Sequence, residues 1–249
     1  MRRFLLISYL STFKFTSLIH IAFALIIVIS TAVQAQDSET TGIRTIFLIR
    51  HGDYNHQDER DADVGKELIP LGIAQARLVA ARLKSLPIKI NILISSTMTR
   101  ARETAIIINR EFPELELRID SLIRECTPPT WREDIMAEEM ESDLDYCAEN
   151  LEAAFAEYFI PSPDDRDRND VLVCHGNVIR YFVTKTLNVN TMAWLQMTIG
   201  NCSLTIVRIM PTGSMKLITF NDVGHLPPNL QTETGGNNKI KKLKIQTEK

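Results

Sequence analysis

Two histidines, three arginines and a glutamate share one kind of place in this sequence: each closes or follows a short apolar run. Arg50-His51-Gly52 ends TIFLI, Ser95-Ser96 and then Arg100 follow INILI, Arg124-Glu125 follows LELRI, and His175-Gly176-Asn177 ends VLVC. Guanidinium groups offer a planar, permanently charged fork that matches an oxyanion. A neutral imidazole is a good nucleophile near pH 7. A carboxylic acid can protonate a departing alkoxide and then accept a proton from water. These residue types fit phosphoryl transfer through His51, with arginines rather than a metal neutralising the charge, so neither metal nor cofactor is called for. Singly, each has a plainer explanation. A histidine at a strand end is more often structural, Arg100 on a helix is ordinarily solvated or salt-bridged, and Asn177 could simply cap the helix after it.

What argues for one site is the set of elements that must carry these groups. TIFLI (45–49), INILIS (90–95) and VLVCH (171–175) read as buried strands, and LELRI (115–119) as a further strand candidate. Between them the periodicity predicts helices over 70–86, stopped by Pro87, then 98–111, 148–159 and 177–187. Residues 126–148 mix prolines, acids and tryptophan and read as an irregular insertion, and SLTIVRIM with MKLITF around Pro211-Thr212-Gly213 reads as a closing hairpin. Alternating strand and helix predicts an α/β layered fold with a mostly parallel central sheet flanked by helices. In such sheets ligands bind beyond the carboxyl ends of the strands, which is where the polar groups above would converge.

The chain has 249 residues with 45% hydrophobic and 24% charged, enough for one ordinary domain and a sizeable core. A net charge of −3 gives no electrostatic case for a nucleic-acid partner. Cys126, Cys147, Cys174 and Cys202 form no CxxC or zinc spacing, and an even count in a chain of this length is poor evidence for disulfides; Cys174 inside VLVCH reads as a buried free thiol. Residues 1–35 contain no acid, carry Arg2, Arg3 and Lys14, and run apolar from 15 to 35. That is close to the ~20 residues of a spanning helix. A membrane anchor is expected there, or a signal segment cleaved after Ala35 and a secreted or periplasmic product. A linker (36–44), a catalytic domain (45–230) and a basic, disordered tail (231–249) follow.

Four blocks also carry a resemblance: LIRHG at 48–52, LxPLGxxQA at 68–76, SSxxTRAxET at 95–104 and VLVCHGNVIR at 171–180. In order and spacing they resemble the histidine phosphatase, or phosphoglycerate-mutase-like, superfamily. Tyr54, the SSxMTRAxET text, HGNVIRY, the Trp194–Ser203 stretch and the Asp222–Pro228 end resemble in particular its membrane-anchored mitochondrial branch that acts on phosphoserine and phosphothreonine in proteins. The resemblance implies that fold, with an N-terminal hydrophobic helix, and a phosphoprotein substrate. It implies roles as well: His51 as phosphoryl acceptor, Arg50 and Arg100 on the phosphoryl oxygens, His175 stabilising charge, Glu125 as acid and then base, and Asn201 and Cys202 lining the phosphate pocket. The short 36–44 linker lacks the Trp-Asp-rich motif which that branch uses for assembly, so a homo-oligomer is an open partner. An exported small-molecule phosphatase and a tethered binding protein with little turnover are the alternatives.

Overall fold

A computed structural model of the chain describes residues 41–233. The expected anchor at 15–35 and most of the basic tail lie outside the described residues. No helix among the described residues is long and apolar enough to cross a membrane.

Six strands form one sheet: β1 (Arg44–Arg50), β2 (Ile92–Ser96), β3 (Leu117–Asp120), β4 (Arg168–Cys174), β5 (Leu204–Ile209) and β6 (Met215–Asp222). Their order is β3-β2-β4-β1-β5-β6. The first four strands in that order pair in parallel. β5 joins β1 antiparallel and β6 joins β5 through a hairpin, where Gly213 takes the left-handed conformation (φ 81°). The helices are α1 (Pro70–Lys84), α2 (Thr99–Asn109), the single turn α3 (Glu133–Met136), α4 (Glu141–Tyr158) and α5 (Gly176–Thr186). Pro70 opens α1 at a position where its missing N–H costs nothing, and Arg82 and Lys84 sit in its last turn, where the helix dipole favours cations.

Strand parity builds the layers. Ile46, Leu48, Leu172 and Cys174 point to the face covered by α4 and α5, with Leu151, Ile179 and Phe182 in the same core. Phe47, Ile49, Val171 and Val173 point to the face covered by α1 and α2, with Val79, Leu83, Ala101 and Ile108. Strands buried on both faces explain the unbroken apolar runs.

The insertion is more regular than its composition suggested. α4 begins at Glu141 rather than 148, because the buried stripe Leu144, Cys147, Leu151, Ala154, Tyr158 keeps helical spacing through the acidic text. Glu141 and Asp143 fall in its first turn, where negative charge is favourable. The cysteine expectation also needs correction. Cys126 and Cys147 form a disulfide, tying the start of the insertion to α4, while Cys174 and Cys202 are free and buried.

Two glycines fix how β1 leads into the site. A Cβ on Gly52 would meet the Gly72 carbonyl oxygen at 2.6 Å, and one on Gly72 would meet the Asp53 carbonyl oxygen at 1.9 Å. The loop after β1 thus lies directly on the first turn of α1. Gly72→Ala is expected to cost roughly 1–3 kcal/mol of stability, read as a lower urea midpoint; an unchanged midpoint would contradict this close approach.

Candidate active site

The carboxyl ends of β1 and β4 are adjacent, with Arg50 opposite Cys174 in the register, and the residues that follow them meet. His51 and His175 have ring centroids 5.1 Å apart. Both are buried, at 1% and 0% exposure, and Arg50 and Arg100 at 5% each. Ring nitrogens of both histidines and a Glu125 carboxylate oxygen lie within 4.8 Å of one another. The sequence expectation that His51, His175, Arg50, Arg100 and Glu125 converge is therefore what the structure shows.

The hydrogen bonds assign the His51 tautomer. Nδ1 lies 2.8 Å from the Gly52 carbonyl oxygen, which can only accept, so the ring proton is on Nδ1. Nε2 keeps its lone pair and accepts from Arg100 Nε at 3.2 Å. Burial, then His175, Arg50 and Arg100, hold the His51 pKa well below the usual imidazole range, so the ring is neutral at pH 7. His175 is kept neutral in the same way, by burial and then by Arg100 and Arg50. Its Nε2 is 2.8 Å from Ser96 Oγ, which already accepts from the Met98 N–H. The Ser96 proton can then serve Nε2, leaving the His175 ring proton on Nδ1.

Among the converging side chains, three buried donors have no hydrogen-bond partner: Arg50 Nε, Arg100 Nη1 and His175 Nδ1. Buried polar groups without partners are rare outside functional sites. Here they surround an unprotonated imidazole nitrogen, and the set suits an oxyanion with several oxygens. His51, Glu125 and His175 could in principle grip a cation, but two guanidiniums within the same pocket favour an anion.

Glu125 stands at the edge, with its side chain 25% exposed and Oε2 3.8 Å from His175 Nδ1. Burial raises its pKa, against the pull of Arg100, Arg50 and the Asn177 N–H, which donates to Oε1 at 3.0 Å. A raised carboxyl pKa brings the proton-donating form towards neutral pH.

Asn201 and Cys202 lie behind the nucleophile. Asn201 Nδ2 donates to the His51 carbonyl oxygen at 3.0 Å, and its Oδ1 accepts from Thr232. Cys202, in the left-handed region at φ 50°, donates its N–H to the Arg50 carbonyl oxygen at 3.0 Å. Their visible work is to hold the His51 backbone. Several supporting residues carried no role in the sequence reading. Thr104 accepts from the Gly52 N–H at 3.0 Å, and Gln75 accepts from the Asp53 N–H at 2.8 Å. The Tyr54 ring lies under the Arg100 guanidinium at 4.8 Å. Thr104 and Gln75 fall inside the recognised blocks, which was the only available signal.

A cavity of about 460 Å³ lies at the opposite, amino end of the strands, lined by Arg44, Ile92, Arg118, Tyr158 and Arg168 among others. Arg44 there is already paired with Asp170 at 2.7 Å, and the chemistry lies at the other end of the sheet.

Comparison with known proteins agrees with this geometry. Residues 46–167 and 162–223 match the family model described as "Histidine phosphatase superfamily (branch 1)". Caenorhabditis elegans "Serine/threonine-protein phosphatase Pgam5, mitochondrial" is 38% identical over 204 residues, covering 78% of this chain and 68% of that protein. The Xenopus tropicalis protein of the same description is 37% identical over 201 residues, 77% of this chain and 69% of the relative. Among solved structures, a phosphoglycerate mutase from Plasmodium falciparum has a TM-score of 0.54 at 28% identity, over 75% of this chain and 95% of that one.

Proposed function

Because the chain belongs to the histidine phosphatase superfamily, we propose that it is a metal-independent phosphatase hydrolysing phosphoserine and phosphothreonine in proteins through a phosphohistidine on His51. The observation that carries this is the lone pair on His51 Nε2, facing Arg100 and surrounded by three buried, unpartnered donors. The protein substrate rests on the names of the relatives that share most of its length.

In the first step Nε2 of His51 attacks phosphorus in line with the departing serine or threonine oxygen. Arg50, Arg100 and His175 Nδ1–H bind the equatorial oxygens and meet the developing charge with donors already in place. Glu125 gives its proton to the leaving oxygen. In the second step the same carboxylate takes a proton from water, which attacks the phosphohistidine and releases inorganic phosphate. Asn201 and Cys202 keep the His51 backbone fixed, and the phosphate contacts expected of them are in this scheme indirect. The apolar stretch of sequence at 15–35 and the mitochondrial description of the relatives together support a membrane-tethered mitochondrial enzyme.

The test is phosphate release from a phosphothreonine peptide by the detergent-solubilised full chain with excess EDTA. Release that survives chelation is expected. Loss of activity on chelation, restored by a divalent ion, would overturn the metal-independent mechanism. A kcat/KM far higher for a phosphorylated sugar acid than for any phosphopeptide would instead favour the small-molecule alternative.

A further inference from the structure

Building on the phosphatase reading above, we propose that the Cys126–Cys147 disulfide is a redox-controlled brace that positions Glu125, so that thiol–disulfide exchange tunes proton delivery to the leaving group and leaves the phosphoryl pocket intact.

Glu125 and Cys126 are adjacent, and Asn177 at the start of α5 holds both. Its N–H donates to Glu125 Oε1 at 3.0 Å, and its Nδ2 donates to the Cys126 carbonyl oxygen at 2.8 Å. Its own Oδ1 accepts from Arg180 at 2.6 Å. From the other side Cys126 is bonded to Cys147, which is fully buried on α4 between Leu144 and Leu151. The Glu125 carboxylate is thus held by a hydrogen bond to one helix, and the adjoining Cys126 by a second hydrogen bond to that helix and a covalent tether to another.

The segment closed by the disulfide is acid-rich, with Arg132 its sole basic residue, and it is largely exposed. Like charges on such a loop repel, so little in the loop itself would replace the tether. Trp194 Nε1 still donates to the Pro128 and Pro129 carbonyl oxygens, which holds the segment near the site after reduction without fixing Glu125. His51, His175, Arg50 and Arg100 take none of their hydrogen bonds from this segment. Disturbing it should therefore affect proton transfer and spare phosphoryl binding.

The exchange is a two-electron step. A dithiol reductant gives two electrons and two protons, the S–S bond breaks to two thiols, and the dithiol closes to its own disulfide. Cys126 is only partly buried whereas Cys147 is fully buried, so exchange would begin at Cys126. Cys174 and Cys202 are fully buried, and burial pushes both thiols far up, which confines the response to this pair.

The test uses the full chain in detergent and two substrates. Threonine is a poor leaving group that needs a proton, whereas p-nitrophenolate leaves without one. On reduction with dithiothreitol, kcat/KM for the phosphothreonine peptide is expected to fall roughly tenfold and that for p-nitrophenyl phosphate less than about threefold, with recovery on reoxidation. The double variant Cys126→Ser/Cys147→Ser should match the reduced enzyme and ignore the reductant. Unchanged peptide turnover, with thiol titration showing the disulfide opened, would overturn the proposal, as would equal loss on both substrates. Should the variant not fold, the reversible wild-type arm decides alone. A wild-type chain that hydrolyses neither substrate would instead remove the phosphatase reading, and the brace with it.

Discussion

His51→Ala is expected to abolish phosphate release and the phosphoenzyme together, a loss of at least about 10⁴-fold in kcat, because the variant has no atom to receive the phosphoryl group. The fold should survive, since the removed ring makes no hydrogen bond to another element except the one from Arg100. Rapid alkaline quench of the wild type with a phosphorus-labelled substrate, under conditions that preserve the acid-labile N–P bond, should trap label on the protein, and the variant should trap none. Turnover in the variant within tenfold of wild type would rule out His51 as acceptor. The wild-type pH profile follows from the same geometry. The reactive form has His51 unprotonated and Glu125 protonated. The rate therefore rises with pH through the His51 pKa, which lies below 6.5, and falls through the Glu125 pKa, which lies above 4.5. Glu125→Gln should flatten the alkaline limb and leave the acid limb in place.

Arg100→Ala should lower kcat/KM by roughly 10²–10³-fold, the range seen when one preorganised donor to a transition-state oxyanion is lost. Three features of Arg100 make the loss large. It is 5% exposed, it donates to the nucleophilic nitrogen, and it keeps a second, unpartnered N–H. Arg100→Lys should recover only a part, because an ammonium cannot place two fixed N–H bonds at once. The variant also carries a directional signature. Arg100 lowers the His51 pKa, so its removal should let that pKa rise and shift the acid limb to higher pH. A large rate loss with an unmoved acid limb would mean that Arg100 acts on substrate alone. A loss under threefold would remove it from the phosphate site.

How far the sequence disclosed this arrangement can be judged residue by residue. β1, β2 and β4 were legible because they are buried on both faces, which leaves apolar runs with polar groups at their ends, whereas the edge strand β3 is partly exposed and mixes charges into its run. His51, Arg100, Glu125 and His175 could be assigned to one place because that ending is shared. The extent of α4 was not legible. Its buried stripe is one residue in three or four, and between those positions the acids and polar residues read as loop. The disulfide was hidden for a related reason, since 21 residues separate Cys126 from Cys147 and only the fold of the insertion brings them together. Asn201 was recognised as belonging to the site, but its hydrogen bond to a backbone carbonyl rather than a ligand depends on φ and ψ at Cys202, which no side-chain pattern reports.

The order in which the chain is synthesised gives the last hairpin a further significance. His51 directly follows the first strand of the described domain, and all five reactive side chains exist once residue 175 has been added. Yet the carbonyl of His51 is held by Asn201, 150 positions later, and Asn201 is held in turn by Thr232. Domains fold as units while the chain is still growing. A nascent protein that ends just after His175 therefore carries every group the reaction uses without the support that aims its nucleophile. The chain completes the support of its nucleophile only when nearly the whole domain has emerged.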